Sequence, residues 1–208
     1  MLSVYCIIKH KKKMLYKHGW VNRSAGQNLP ETAVTGGRDI DGSTIYVGRA
    51  FHDGDMIPAK VIPDKNIAYV CHNGEEHQKH DFEVSQTQNA THHYIQIVQS
   101  FIDDHSLITN NLEDRKLKLI PENKFISIVL RHGIGIRFIR SASSFTIPGD
   151  AVIAGQTSDG EPLYVGRVLH NGSQTVGKVG VQPSHGCLYI PFDGEELSFK
   201  DYEVLVIH

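Results

Sequence analysis

One phrase occurs twice in this chain. Residues 45–55 read IYVGRAFHDGD and residues 163–173 read LYVGRVLHNGS. Tyr46 and Tyr164 are separated by 164 − 46 = 118 residues, and the same offset pairs Pro30 with Pro148, Gly37 with Gly155, Asp41-Gly42 with Asp159-Gly160, and Lys60-Val61 with Lys178-Val179. Beyond the lysines the offset becomes 120, pairing Gly74-Glu75-Glu76 with Gly194-Glu195-Glu196 and Glu83-Val84 with Glu203-Val204. A shift from 118 to 120 is a two-residue loop insertion. The chain therefore carries two copies of one module, and a fold open to one copy must be open to the other. The spacing is too long for a stacked solenoid, whose repeats run about 20–50 residues. The expected division is an appendage at 1–19, repeat 1 at 20–85, a spacer at 86–137 and repeat 2 at 138–208.

Each copy reads as β-structure. TIYVGRAF, AKVIP, IAYVCH and DFEVS are short runs rich in Val, Ile, Tyr and Phe, the residues that suit a pleated, half-buried surface. Asp41-Gly42, Asp53-Gly54, Pro63-Asp64 and Asn73-Gly74 separate them, and Asp-Gly and Asn-Gly supply the positive φ angles of tight hairpins. Neither copy holds a helical apolar period. The expected fold is all-β, two tandem antiparallel repeats related by a pseudo-twofold, with an inserted spacer. Within that spacer HHYIQIVQSFIDDHSLI fits a short helix or a strand equally well, whereas RKLKLIP and KFISIVL pattern as strands.

Composition excludes several functions. With 208 residues, 40% apolar, the chain can bury a core. A formal charge of −2 gives no electrostatic basis for nucleic-acid binding or for an acidic membrane surface. Three cysteines, Cys6, Cys71 and Cys187, do not form a disulfide framework and fit a reducing compartment. The N-terminal MLSVYCIIKHKKK places its apolar run before its lysines, the reverse of a secretory signal, and is too short to span a bilayer. A cytoplasmic protein with no membrane insertion is expected, and the sequons at Asn22, Asn89 and Asn171 then carry little weight.

No phosphate-binding glycine pattern, no G-x-S-x-G and no other nucleophile–base arrangement occurs, so neither a catalytic residue nor a cofactor is expected. Of the 13 histidines, His72, His77 and His80 lie close in sequence. Repeat 2 holds Phe192, Leu197 and Lys200 at those places, which argues against a metal site. Arg49 and Arg167 fall mid-strand, where a charge needs a partner or solvent. With Glu75-Glu76 and Glu195-Glu196 they form either a bridge within each copy or a polar cleft whose carboxylates and cations face a ligand. Lys60 and Lys178 each follow a hairpin and open an apolar run, either as solvated edge charges or as ligand-facing cations.

The repeated pattern GRDIDGSTIYVGRAFHDGDMIPAKV, followed by NGEEH and FEV, resembles the DM-nine repeat family, small tandem-repeat β-proteins that also form the lectin part of natterin-like proteins. The resemblance covers both copies, about 130 of the 208 residues. It implies calcium-independent binding of mannose-type sugars, a role in innate pattern recognition, a homodimer, and a cytosolic protein open to non-classical release. It further implies that the acid before the first long strand and the lysine after the hairpin hold sugar hydroxyls: Asp39 and Lys60 in repeat 1. A carboxylate accepts two hydroxyl hydrogens and an ammonium donates to oxygens, so such a pair can bracket a vicinal diol. Repeat 2 keeps Lys178 but has Thr157 in the place of Asp39, and is expected to form a degenerate, weak site. A pore-forming relative would need a long further module after repeat 2, and the given sequence ends at His208. The alternative is a non-enzymatic protein-interaction scaffold that has lost sugar binding.

Overall fold

The Asp-Gly and Asn-Gly pairs turn the chain where their chemistry requires. The computed structural model describes residues 18–87, 135–140, 147–180 and 186–207, all of one compact unit. In it four two-residue hairpins close at His52↔Asp55, His72↔Glu75, His170↔Ser173 and Phe192↔Glu195. Both loop residues of each have positive φ, for example 48° at Asp53 and 90° at Gly54. This is the geometry of type I′ turns, whose twist matches that of the flanking strands. The spacer assignments at 88–134 and most of the appendage lie outside the described residues.

The described residues are all-β, and their strands come in two matched sets. Repeat 1 contributes β1 (His18–Ser24), β2 (Thr35–Arg38), β3 (Thr44–His52), β4 (Asp55–Ile62), β5 (Ile67–His72), β6 (Glu75–Lys79) and β7 (Asp81–Thr87). Repeat 2 contributes β8 (Ile136–Arg140), β9 (Ile153–Gln156), β10 (Pro162–His170), β11 (Ser173–Val179), β12 (Leu188–Phe192), β13 (Glu195–Phe199) and β14 (Glu203–Ile207). The strand pairs β1/β8 to β7/β14 fall at the sequence offsets of 118 and then 120. One 3-10 turn, Pro63–Lys65, links β4 to β5.

Within each repeat the antiparallel neighbours are the same: β3 with β2, β4 and β7 in repeat 1, and β10 with β9, β11 and β14 in repeat 2. The repeats also pair with each other. β2 meets β11 at Arg38↔Gln174, and β4 meets β9 at Met56↔Gln156, its symmetry mate. β6 and β13 meet at Glu75↔Glu195, residues equivalent to each other, so the pseudo-twofold passes between them. All fourteen strands thereby join in one sheet.

Burial follows the same arrangement. One cluster draws on both repeats: Val34, Ile45, Val47 and Ile62 with Val152, Val165, Val176 and Leu205. A second is built almost wholly from repeat 1, around Ile57, Val61, Val70 and Val84, and a third from repeat 2, around Val179, Leu188, Ile190 and Val204. Each repeat thus has a small core of its own and shares a central one. A fully buried Val, Leu or Ile is worth about 1.5–3 kcal/mol, so separating the repeats would expose a cluster that neither can cover alone.

Polar side chains fasten the junction. Arg49 pairs with Glu83, lies 4.6 Å over the Trp20 ring and donates to the Ala154 carbonyl of repeat 2 at 3.3 Å. Arg167 repeats this with Glu203 at 2.7 Å, Phe138 at 4.0 Å and the Gly36 carbonyl at 3.3 Å. The expected arginine–glutamate bridge forms in each copy, but with Glu83 and Glu203. Those glutamates lie opposite the arginines in the β3–β7 and β10–β14 ladders. Glu75 and Glu76 sit at the far hairpin, where Glu76 meets a lysine.

Candidate functional site

Lys60 lies on β4 opposite Tyr69 of β5. It is not a solvated edge charge, since only 6% of it is exposed. Its ammonium donates to Glu76 Oε1 at 3.2 Å and to the Pro191 carbonyl of repeat 2 at 2.9 Å, and lies 4.8 Å over the Tyr69 ring. Lys178 matches it, donating to the Cys71 carbonyl of repeat 1 at 2.9 Å and pairing with Glu196 at 2.8 Å. The glutamates extend the brace: Glu76 Oε2 accepts the Gly194 N–H at 2.9 Å, and Glu196 Oε2 accepts the Gly74 N–H at 2.8 Å. Burial works against ionisation of Glu196, but bonds from Lys178 and the Gly74 N–H outweigh it and hold its carboxyl below the usual range. Both lysines therefore tie one repeat to the other. An ammonium has three N–H donors, and Lys60 commits two to these acceptors.

Asp39 sits in the loop between β2 and β3. Its own turn orders the backbone, with the Asp39 N–H bonding the Ser43 carbonyl at 2.8 Å and the Gly42 N–H returning to the Asp39 carbonyl at 3.0 Å. Its carboxylate takes the Ile40 N–H at 2.9 Å and the Lys65 ammonium at 2.6 Å, and the nearby Ser173 hydroxyl of repeat 2 donates to the Arg38 carbonyl at 3.4 Å. Burial again opposes the charge, and these bonds outweigh it, so the Asp39 carboxyl lies below its ordinary value. Lys65, on the 3-10 turn, also bridges to Asp41 at 2.9 Å. The hydrogen bonds it donates to Asp39 and Asp41 raise its pKa, so it stays charged throughout the physiological range.

Asp39 and Lys60 therefore belong to separate ion pairs. Among the described residues neither bonds to the other: Lys65 takes Asp39, and Glu76 takes Lys60. Tyr69 lies beside the Lys60–Glu76 pair, its ring 4.8 Å from the Lys60 ammonium. Burial raises its hydroxyl pKa, followed by the charge of Glu76, with Asp39 adding and Lys65 opposing. The phenol is thus within electrostatic reach of both pairs. The residues so assembled supply carboxylates, two ammonium groups and an aromatic ring, with Lys60 nearly buried and Lys65 the more accessible ammonium. They can offer acceptors and donors to vicinal hydroxyls and a ring to an apolar sugar face. Two larger concavities lie elsewhere in repeat 1: one of about 480 Å³ lined by Arg49, Phe51, Met56 and Glu83, the other of about 570 Å³ lined by Tyr46, Pro63 and Asn66. Asp39, Lys60, Lys65 and Tyr69 line neither.

Thr157 occupies the turn equivalent to that of Asp39, and its hydroxyl accepts the Glu161 N–H at 3.0 Å. Sequence offers no partner like Lys65 in repeat 2, for no lysine lies between Lys178 and Lys200. Sequence reasoning missed Lys65, Tyr69 and Ser173. Lys65 carried a usable signal, since a lysine beside an Asp-rich turn is present in repeat 1 alone.

The histidines do come together. The His52 ring lies 5.3 Å from His72 and 4.1 Å from His77, and Lys79 donates to His52 Nδ1 at 2.9 Å. Burial first, then the charges of Lys79, His77 and His72, lower the His52 pKa. Among the described residues no group of three or more His, Cys, Asp or Glu is placed to hold a metal ion.

The comparisons agree with this architecture. The DM9 repeat signature matches residues 39–114 and 129–207. A search of curated proteins returns no match. The crystal structure of the nematode sperm cell motility protein MFP2B is similar in fold, with a TM-score of 0.52 and 11% sequence identity over 93% of this chain and 46% of that one. This chain thus spans less than half of that protein, and the likeness concerns the fold alone. No helix among the described residues is long and apolar enough to cross a membrane. The signature covers most of the chain and falls on both strand sets, and the chain belongs to the DM9 repeat family.

Proposed function

We propose that the protein is a non-enzymatic, calcium-independent carbohydrate-binding protein that takes mannose-type sugars at Asp39, Lys60, Lys65 and Tyr69, acting in pattern recognition from the cytoplasm or after non-classical release. Membership of the DM9 repeat family points to a lectin-like role. The observation that supports the reading is the Tyr69 ring 4.8 Å from the Lys60 ammonium, with its hydroxyl also within electrostatic reach of Asp39 and Lys65. A carboxylate has about four acceptor directions, so Asp39 can take a sugar hydroxyl beside its present donors. Lys60 keeps one N–H. Charge-assisted bonds of this type are about twice as strong as neutral ones. A homodimer would raise avidity for clustered glycans.

Titration calorimetry with methyl α-mannoside and with mannan, in EDTA, tests this. Binding is expected to persist in EDTA. Asp39→Asn and Tyr69→Ala should each weaken the repeat 1 site at least tenfold, and Thr157→Ala should leave that site unchanged. Absence of any mannoside binding by folded protein would remove the lectin reading. A second reading is a scaffold that has lost sugar binding. It is favoured by the use of Lys60 and Lys178 in the inter-repeat brace, which accounts for both lysines without a ligand.

A further inference from the structure

The two repeats match at their arginine and lysine braces but not at the tips of their β3–β4 and β10–β11 hairpins. His52 closes the first tip opposite Asp55, and His170 closes the second opposite Ser173. The Phe192 and Phe199 rings pack on His170, at 4.8 and 5.1 Å. Where repeat 2 has Phe192, Leu197 and Phe199, repeat 1 has His72, His77 and Lys79. An apolar seat for the tip in one copy is a titratable seat in the other.

The titratable seat is closely made. Lys79, on β6, donates to His52 Nδ1 at 2.9 Å. An ammonium has donors only, so this bond requires a neutral His52 with its proton on Nε2. The His77 ring, also on β6, lies 4.1 Å from the His52 ring, and the His72 ring, on β5, lies 5.3 Å from it. His77 Nε2 donates to the His72 carbonyl at 3.1 Å. Asp53 of the turn and Asp55 of β4 lie 3.7 and 3.8 Å from the His72 ring nitrogens, where they favour a charge on His72. For His52 the balance is the reverse. Burial is the first obstacle to its charge, followed by Lys79, His77 and His72, with Asp53 opposing them. A proton on Nδ1 would turn the acceptor into a donor aimed at an ammonium, and would set two like charges 2.9 Å apart.

The tip held in this way also meets repeat 2. Asp55 is buried, its Oδ1 accepts the Ser158 N–H at 2.7 Å, and the next residue, Met56, faces Gln156 in the β4–β9 pairing. The β3–β4 tip is therefore clamped between the β5–β6 hairpin of its own repeat and the turn after β9.

We propose that His52, His77 and Lys79 form an acid-operated latch: protonation of His52 breaks its bond with Lys79 and frees the β3–β4 tip from the turn after β9, while the opposite junction, whose tip rests on Phe192 and Phe199, stays closed. The latch stands apart from the carbohydrate reading. A released imidazole takes its proton near pH 6.5 and the latched one at lower pH, so the advantage of the latched state is complete above about pH 6.5 and is lost as pH falls.

An NMR titration from pH 7.5 to 4.5 tests this. The His52 ring and the Ser158 amide should shift together, with one midpoint below about 6.5. The Ile40 amide, at the equivalent place in the other junction and bonded to Asp39, should not move with them. His52→Gln supplies an acceptor that does not titrate, and should abolish the Ser158 shift. Should that variant fail to fold, Lys79→Gln replaces it: an uncharged donor at position 79 should raise the shared midpoint. A Ser158 amide that stays still while His52 titrates overturns the latch. So does a Ser158 shift that persists in His52→Gln, which would place the titration on Asp55 or His72, or a midpoint that Lys79→Gln leaves unmoved.

Discussion

Replacing Gly37 with alanine tests the interleaving of the repeats. Gly37 lies on β2, where that strand crosses β11. A Cβ there would sit 2.8 Å from the Gln174 carbonyl carbon and 3.1 Å from the Gln174 Cβ, closer still to the carbonyl oxygen. Carbon–carbon contacts are normally about 3.5–4.0 Å. The obstacle is backbone, so no rotamer relieves it, and β2 and β11 must separate by about 1 Å. Overpacking of this kind costs about 1–3 kcal/mol. The separation also weakens the Arg38↔Gln174 pairing and the Arg167 bond to the Gly36 carbonyl, at about 1 kcal/mol for each hydrogen bond lost. Alanine restricts the unfolded chain, which returns about 0.4–1 kcal/mol. The net loss is about 3 kcal/mol, or about 10 °C in Tm for a unit of this size. Thermal unfolding followed by circular dichroism reads it. Gly42→Ala is the control: its φ of 87° strains an alanine, but nothing lies within 4 Å, so it should lose only about 1 kcal/mol. A Gly37→Ala Tm within 3 °C of wild type would refute the close crossing of the repeats.

Other outcomes follow from the same structure. His18, bonded to Ser85 at 2.8 Å, has its pKa lowered to about 4 by burial and by Arg49. Its folded pKa lies below its unfolded one, so the stability it gives is present above about pH 6.5 and is lost as pH falls towards 4, amounting after solvent screening to about 2 kcal/mol; His18→Gln should flatten the stability profile over that interval in urea titrations. Replacing residues 90–130 with a flexible linker should leave a single cooperative unfolding transition, because the described residues by themselves supply three core clusters; loss of cooperativity would count against their self-sufficiency. Glu76→Ala leaves the buried Lys60 ammonium without its carboxylate, so it should cost about 3 kcal/mol or more, whereas Glu75→Ala, at an exposed position, should cost under about 0.5 kcal/mol.

The duplicated β-fold was legible because a constant offset identifies equivalent residues without reference to structure, and Asp53-Gly54 and Asn73-Gly74 mark hairpins by their φ preference. The pairing between repeats was not. An offset says that Lys60 equals Lys178, but not that each reaches into the other's repeat, since long-range strand contacts leave no local period. The family resemblance supplied Asp39 and Lys60 as sugar-holding residues, and for the same reason it gave no sign that the 3-10 turn at Pro63–Lys65 brings Lys65 to Asp39. Asp55 appeared as an ordinary hairpin residue; only the Ser158 N–H bonded to it reveals that it holds the turn after β9.

The most direct test of sugar binding at the repeat 1 junction is a titration of the protein with methyl α-mannoside in EDTA, following the Tyr69 ring and Ile40 amide resonances by NMR. Binding at the Asp39–Lys60 surface should shift both in step with sugar concentration. Shifts confined to the groove around Arg49 and Phe51, or no shifts at saturating sugar, would contradict it.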